Sequence, residues 1–152
     1  NWGKPPSGRF QGISVHFSHH SYVAQVAEVS VSDGNIKVHK VYCAVDCGQV
    51  INLSSAENQC EGGVVDGIGC AWFGDMPIID GASANTNFNT YRLIRMNEAP
   101  EVETRFLDTG YPPTGLGEPA LPPASAAVAN AVFAATGRRM RNLPFLQNDL
   151  KA

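Results

Sequence analysis

The sequence predicts an α+β fold in which two main helices pack on an antiparallel or mixed sheet. Three stretches near the N-terminus alternate apolar and polar side chains with the period of two that is typical of strands. Two later stretches carry apolar side chains at helical spacing, over about 54–72 and from Pro122 or Pro123 to Thr136. With 43% hydrophobic residues, the 152-residue chain can bury the core of one domain.

The first three strands are predicted over residues 9–18, 21–32 and 35–45. Asp33 and Gly34 form a strong hairpin-turn signal between the second and the third strand, so these strands should be antiparallel. Strict alternation sends successive side chains of the third strand to opposite faces. Because its end is apolar at nearly every position, we expect that end to be buried on both faces.

Shorter elements are expected further along the chain. Residues 73–81 predict a short strand that ends in a second Asp-Gly turn, residues 84–93 a polar loop or edge strand, and residues 100–108 another strand. Residues 111–119 must be irregular, because they contain three prolines and two glycines. The tail over residues 141–150 is expected to be extended.

The first helix is unusual because Gly62, Gly63, Gly67 and Gly69 lie in its interior. Each glycine costs about 0.5–1 kcal/mol relative to alanine. Such a helix is expected where another helix, a strand or a cofactor approaches its backbone closely. The second helix is mostly alanine and should be buried nearly all round, with Gly137 as its C-terminal cap.

The charge pattern does not indicate a nucleic-acid or membrane partner. The net charge is −3, and no long run of lysine and arginine occurs. The densest basic stretch, residues 138–141, follows the second helix, where cations offset the helix dipole. No apolar run approaches the roughly 20 residues needed to span a bilayer. We therefore expect neither nucleic-acid binding nor a membrane span.

The four cysteines, Cys43, Cys47, Cys60 and Cys70, do not follow a common zinc or redox motif. The first two have the spacing C-x3-C rather than C-x2-C. Free cysteine is often a small buried residue. We expect that role here, with a disulfide or a metal site as less favoured alternatives.

The irregular segment around Glu118 carries the clearest sign of chemistry. Gly115 and Gly117 permit backbone conformations closed to other residues, and Pro119 disfavours helical geometry at Glu118. The carboxylate is therefore predicted on a stiff loop before an apolar helix, where desolvation would raise its proton affinity and suit a general base. The alternative is a loop glutamate that accepts backbone N–H bonds near a helix start.

A second candidate is Gln59, on the glycine side of the first helix. Its amide can donate and accept at once, which suits the edge of a heterocyclic cofactor, whereas an ordinary surface glutamine is the alternative. His16 and His20 could share a strand face and bind a metal, although such sites usually need three or four ligands. No metal ligands are therefore assigned.

The segments that contain these two candidates resemble one family. CAVDCGQVINLSSAENQCEGGVVDGIG and GLGEPALPPASAAVANAVFAATG are similar to the large subunits of molybdenum hydroxylases, which include xanthine oxidase and aldehyde oxidoreductase. SYVAQVAEVSV and NFNTYRLIRMNEAPEVE are similar to the isoquinoline 1-oxidoreductase type within that family. The resemblance runs from about Gly8 to about Pro144.

The resemblance implies roles for three residues. Glu118 matches the glutamate of the family's G-x-G-E motif, the general base that takes a proton from a molybdenum-bound hydroxyl, and Gly117 precedes it in that motif. Gln59 matches the glutamine of the family's Q-x-E-G motif, which contacts the molybdopterin. The implied reaction oxidises a carbon of an N-heterocycle or an aldehyde, with water as the oxygen source.

The resemblance also implies that residues 1–152 are a single C-terminal domain, cut from a subunit several times longer. Its partners would be the remainder of the large subunit, an iron–sulfur small subunit and a small-molecule substrate. The chain by itself is expected to bind no molybdopterin and to be inactive, and its uncovered surface could support a homodimer. A stand-alone binding or scaffold domain derived from this fold is the alternative, and both a cytoplasmic and a periplasmic location stay open.

Overall fold

The computed structural model describes residues 2–145 and residue 150. In chain order, its elements are β1 Phe10–Ser18, β2 Ser21–Ser32, β3 Asn35–Asp46, α1 Leu53–Phe73, β4 Ile78–Ile79, β5 Ala82–Ser83, β6 Glu101–Phe106 and α2 Pro122–Thr136. Both helices share one hydrophobic core with one face of the main sheet. The predicted α+β class, with two helices packed on a sheet, is confirmed.

The main sheet is mixed, with the strand order β1-β2-β3-β6. β1, β2 and β3 are antiparallel neighbours, and β6 pairs with β3 in parallel. β4 and β5 form a separate two-stranded ladder around the second Asp-Gly turn. Residues 84–93 form a loop, and residues 142–145 of the predicted extended tail are irregular; residues 146–149 lie outside the described part of the chain.

The expected strict alternation along β3 is wrong at one point. Glu28 pairs with Lys40, but the next residue of β2 pairs with Val38. His39 is therefore the extra residue of a β-bulge. The bulge turns Val38 onto the same face as Val41, and both side chains are buried in the core.

The end of β3 is buried on one face only, not on both as expected. Cys43 and Val45 are buried, whereas Ala44 between them is exposed. The outer face of the sheet, as we call the face opposite the helices, is nevertheless apolar. Its exposed members on β1 and β2 are Ile13, Val15, Phe17 and Tyr22.

The ends of both helices follow from local chemistry. Asn52 caps α1, because its side chain accepts a hydrogen bond from the Ser55 amide at 2.9 Å. Gly137 ends α2 with a φ of 72° in the left-handed region, as predicted. Within the described residues, neither helix is long and apolar enough to cross a membrane.

The glycines of α1 have different neighbours. A Cβ atom added at Gly67 would lie 2.5 Å from the Leu121 carbonyl oxygen, where α2 begins. One at Gly69 would lie 3.0 Å from Ile94 Cγ2, whereas one at Gly62 would meet nothing within 4 Å. Close approach by another helix therefore explains Gly67, and Gly62 leaves open space beside the helix.

Three of the four cysteines occupy the predicted buried role, and all four are free thiols. Cys43, Cys47 and Cys60 lie together in a small second core near the ends of β2 and β3. A hydrogen bond with the Cys43 thiol, together with burial, raises the pKa of Cys60, and burial raises the pKa of Cys47. Cys70 is exposed, contrary to the expectation of burial.

Two substitutions in α1 test the account of its glycines. Gly67→Ala should lower the free energy of unfolding by about 1–3 kcal/mol, because its methyl group collides with the start of α2. Gly62→Ala should raise it by about 0.5–1 kcal/mol, because alanine favours the helix and meets no neighbour. Urea unfolding measures both, and equal stability of the two variants would contradict the packing described.

The thiols should react in two classes with a disulfide reagent such as DTNB. Cys70 is exposed and should react fast in the folded chain, although partial burial and the neighbouring Asp66 raise the pKa of its thiol. The other three thiols should react only after unfolding. Cys70→Ser should remove the fast phase, and a fast phase that survives this substitution would contradict the assigned burial.

Candidate functional site

The site is built on the irregular segment over residues 107–121, which we call the β6–α2 loop. Its backbone bonds to the ends of other elements, and within the loop the Leu121 amide donates to the Glu118 carbonyl at 2.9 Å. The Thr114 amide donates to the Cys47 carbonyl at 2.9 Å, and the Gln49 amide donates to the Tyr111 carbonyl at 2.9 Å. The loop is therefore fixed beside the end of β3, which agrees with the predicted stiffness.

Two buried polar side chains of β2 hold the same loop from beneath. The Ser21 hydroxyl shares a hydrogen bond of 2.7 Å with the Thr114 hydroxyl and donates another to the Gly115 carbonyl. The Gln25 amide donates to the Ala120 carbonyl at 2.6 Å. Both side chains are fully buried. Neither residue was among the site residues predicted from the sequence; the available signal was polar residues on the apolar face of a strand.

The turn between β1 and β2 contacts the loop from a third direction. His19 and His20 form this turn with φ values of 51° and 62°, the left-handed geometry of a tight hairpin. The His19 carbonyl accepts a hydrogen bond from the Gly115 amide at 3.0 Å. A Cβ atom at Gly115 would lie 2.5 Å from His19 Cβ, so only glycine permits this close approach.

Gln59 of α1 also bonds to the loop, in addition to the end of β3, the side chains of β2 and the β1–β2 turn. Its Nε2 atom donates to the Gly117 carbonyl at 2.8 Å, across 58 residues of sequence. Two of the predicted site residues are thereby in direct contact, next to the third, Glu118. Gln59 is exposed, as the surface-glutamine alternative requires, and its amide is also bonded to the loop.

Glu118 faces outward from the loop. Its carboxylate Oε2 lies 3.1 Å from the His19 Nε2, and the exposed fractions of the two side chains are 78% and 56%. The expected desolvation by the following apolar helix is therefore wrong for this chain, because Pro119 and Ala120 are buried while the carboxylate extends into solvent. The alternative, in which the side chain accepts backbone N–H bonds, is also not the arrangement found: within residues 2–145, its hydrogen-bond partner is an imidazole.

Among the described residues, the polar groups at this site suit an organic cofactor better than a bare metal ion. Within residues 2–145 and 150, no group of three or more His, Cys, Asp or Glu side chains could hold a metal. A groove of about 320 Å³ lies between α1 and the β6–α2 loop, and Gln59, Ser55 and Thr114 line it. The amide of Gln59 and the hydroxyl groups of Ser55 and Thr114 suit the polar edge of a heterocycle. The open space at Gly62 belongs to a different groove on α1, which Leu93 also lines.

Comparison with known proteins identifies the family to which this chain belongs. The sequence model of the molybdopterin cofactor-binding domain matches residues 6–100, which is more than half of the chain. The chain therefore belongs to the molybdopterin cofactor-binding domain family, and the resemblance seen in the sequence is confirmed. Gln59 lies within the matched range and Glu118 beyond it.

Individual relatives are similar to this chain over most of its length. The membrane-bound aldehyde dehydrogenase (pyrroloquinoline-quinone) of Gluconacetobacter polyoxogenes is 32% identical over 99% of this chain and 20% of that protein. The isoquinoline 1-oxidoreductase subunit beta of Brevundimonas diminuta is 32% identical over 90% of this chain and 18% of that protein. The crystal structure of the aldehyde oxidoreductase from Desulfovibrio desulfuricans ATCC 27774 aligns with a TM-score of 0.70 and 26% identity, over 82% of this chain and 14% of that chain. The chain thus spans about a fifth of the length of these curated relatives.

The bond between Gln59 and the loop can be tested by substitution. Gln59→Ala should lower the free energy of unfolding by about 0.5–1.5 kcal/mol, because the Gly117 carbonyl loses its donor. Asn58→Ala changes a neighbouring exposed amide on the same helix and should cause no such loss. Equal loss in both variants, measured by urea unfolding, would indicate that the effect comes from the helix and not from the loop.

Proposed function

We propose that this chain is the part of a molybdenum hydroxylase large subunit that presents the general base to the reaction centre. The observation that carries the proposal is the contact between two distant motifs. Gln59 on α1 holds Gly117, and the next residue is Glu118. A carboxylate on a fixed loop beside an amide that can face a cofactor is the arrangement that this reaction needs.

In this proposal, each of the three site residues has one task. Glu118 accepts the proton that the oxygen nucleophile, derived from water, loses as it attacks the substrate carbon. Gln59 offers its amide to the polar edge of the molybdopterin while it supports the loop, and Gly117 keeps the space above that loop free of a side chain. A Cβ atom at Gly117 would come no nearer to Gln59 than 3.9 Å, so the region is open.

The proposed substrate is a small molecule with an electron-poor C–H carbon, in an N-heterocycle or an aldehyde. The carbon gains oxygen from water and loses two electrons and one hydrogen. When bound, the molybdenum cofactor supplies the acceptor for those two electrons. The names of the relatives support both substrate classes, because one is an isoquinoline oxidoreductase subunit and another an aldehyde oxidoreductase.

The remainder of a large subunit would complete the site. With 78% of its side chain exposed, Glu118 in this chain lacks the enclosed surroundings in which a general base works best. We therefore infer that the chain alone holds no molybdopterin and is inactive. An iron–sulfur subunit would then carry the electrons away from the assembled enzyme.

The apolar outer face of the sheet favours a chain that assembles with the rest of a large subunit over a stand-alone binding or scaffold domain. Ile13, Val15 and Phe17 line up on β1, and the Phe17 ring packs against the Tyr22 ring with centroids 4.5 Å apart and a tilt of 37°. Contiguous exposed apolar surface usually marks an interface. The rest of the large subunit would cover this face, and the isolated chain would form a homodimer through it.

Glu118→Gln tests the catalytic role in the assembled enzyme. The amide keeps the shape of the side chain but cannot accept the proton, so kcat should fall by about 10²–10⁴-fold. Molybdenum content, measured by inductively coupled plasma mass spectrometry, should be unchanged because Glu118 does not hold the cofactor in this proposal.

Glu57→Gln is the matched control, since Glu57 is an exposed glutamate on α1. It should leave both kcat and molybdenum content as they are. Normal turnover of Glu118→Gln would refute the base role, and loss of molybdenum from Glu118→Gln would assign this residue to cofactor binding instead.

A further inference from the structure

We propose that His19 is a positioning residue for Glu118. The inference rests on the proposed function of Glu118 as the base and adds the side chain that orients its carboxylate. The two residues lie 99 positions apart in sequence, yet His19 Nε2 and Glu118 Oε2 are 3.1 Å apart. His19 was not among the site residues that the sequence indicated.

The backbone brings these two side chains together before they interact. The Gly115 amide donates to the His19 carbonyl at 3.0 Å, three residues before Glu118. Ser21, two residues after His19, bonds the Thr114 hydroxyl and the Gly115 carbonyl. The turn and the loop are therefore joined at His19 itself and again two residues later, at Ser21.

The ordered backbone of the turn and the loop lowers the conformational freedom that is lost when His19 and Glu118 make contact. An ion pair between exposed side chains normally contributes little, because two freely moving side chains must be ordered to form it. Here the turn is held by left-handed residues and the loop by bonds to Cys47, Ser21 and Gln59, so less freedom remains to be lost. A contact of this kind selects one orientation of the carboxylate and leaves the free energy of folding nearly unchanged.

The bond occupies one oxygen of the carboxylate. His19 Nε2 must carry a hydrogen to donate, since an ionised carboxylate only accepts. Within residues 2–145 and 150, Oε2 has this bond, and Oε1 has no hydrogen bond to protein. His19 thus keeps Oε2 engaged, and Oε1 is the oxygen left to receive the substrate-side proton.

The adjacent histidine provides a matched control. His20 shares the turn and its left-handed backbone, but Glu118 bonds to His19. Asparagine tolerates left-handed geometry and is favoured in such turns. His19→Asn and His20→Asn therefore preserve the hairpin equally, and only the first removes the atom that reaches Glu118.

The first experiment tests the contact by NMR on the 152-residue chain. Glu118→Gln should move the ring resonances of His19 in a ¹H–¹³C spectrum and leave those of His20 and His16 in place. Unmoved His19 resonances would overturn the proposal, whatever the enzyme's activity.

The second experiment measures turnover in the assembled, molybdenum-loaded enzyme. His19→Asn should lower kcat by roughly 10- to 100-fold, the penalty for a misplaced catalytic group, with KM and molybdenum content nearly unchanged. His19→Gln, whose amide reaches as far as Nε2, should restore part of the loss, and His20→Asn should match the parent enzyme.

The outcomes separate the two proposals. If Glu118→Gln abolishes turnover while His19→Asn does not affect it, Glu118 stays the base and the positioning role of His19 is refuted. If His19→Asn and His20→Asn reduce kcat equally, the turn and not the imidazole is responsible, and the inference also fails. If Glu118→Gln turns over normally, the proposed function fails first.

Discussion

The structure of the site depends on how the β6–α2 loop satisfies its backbone. Its prolines and glycines prevent a helix or a strand, so its amides and carbonyls must find partners elsewhere. They find them at the end of β3, in the β1–β2 turn, on β2 and on α1. An irregular segment held from four sides can place a side chain as reproducibly as a regular element does. Glu118 is fixed by these bonds more than by its own contacts.

Most elements could be predicted from local pattern, because hydrophobic period and turn residues act over short distances. The hairpin at Asp33-Gly34, the two helices and the cap at Gly137 all follow from such signals. The bulge at His39 could not be predicted in this way, since it is defined by pairing with β2. The glycines of α1 were recognised as places of close approach, but only the packing shows that Gly67 meets α2 while Gly62 stays open.

The sequence singled out three candidate site residues, but it could not predict their surroundings. Gln59, Gly117 and Glu118 were singled out from the sequence, and the fold brings the first two into contact beside the third. The expected desolvation of Glu118 was wrong for this chain, because a following apolar helix does not cover a side chain that extends away from it. His19, Ser21 and Gln25 were missed since their roles arise from contacts more than 90 residues apart in sequence. In the proposed enzyme, this chain provides the orientation of the base, and the remaining large subunit provides its enclosure.

The central claim is that the β6–α2 loop is already ordered in this chain without a cofactor or partner. Amide hydrogen exchange of Thr114 and Gly115 in the 152-residue chain tests it most directly. Both amides donate to carbonyls of other elements, so their exchange should be slowed by at least roughly 100-fold relative to an unstructured peptide, as expected for bonds that open only with local unfolding. Exchange at the rate of an unstructured peptide would contradict the account, because the loop would then need the rest of the enzyme to position Glu118.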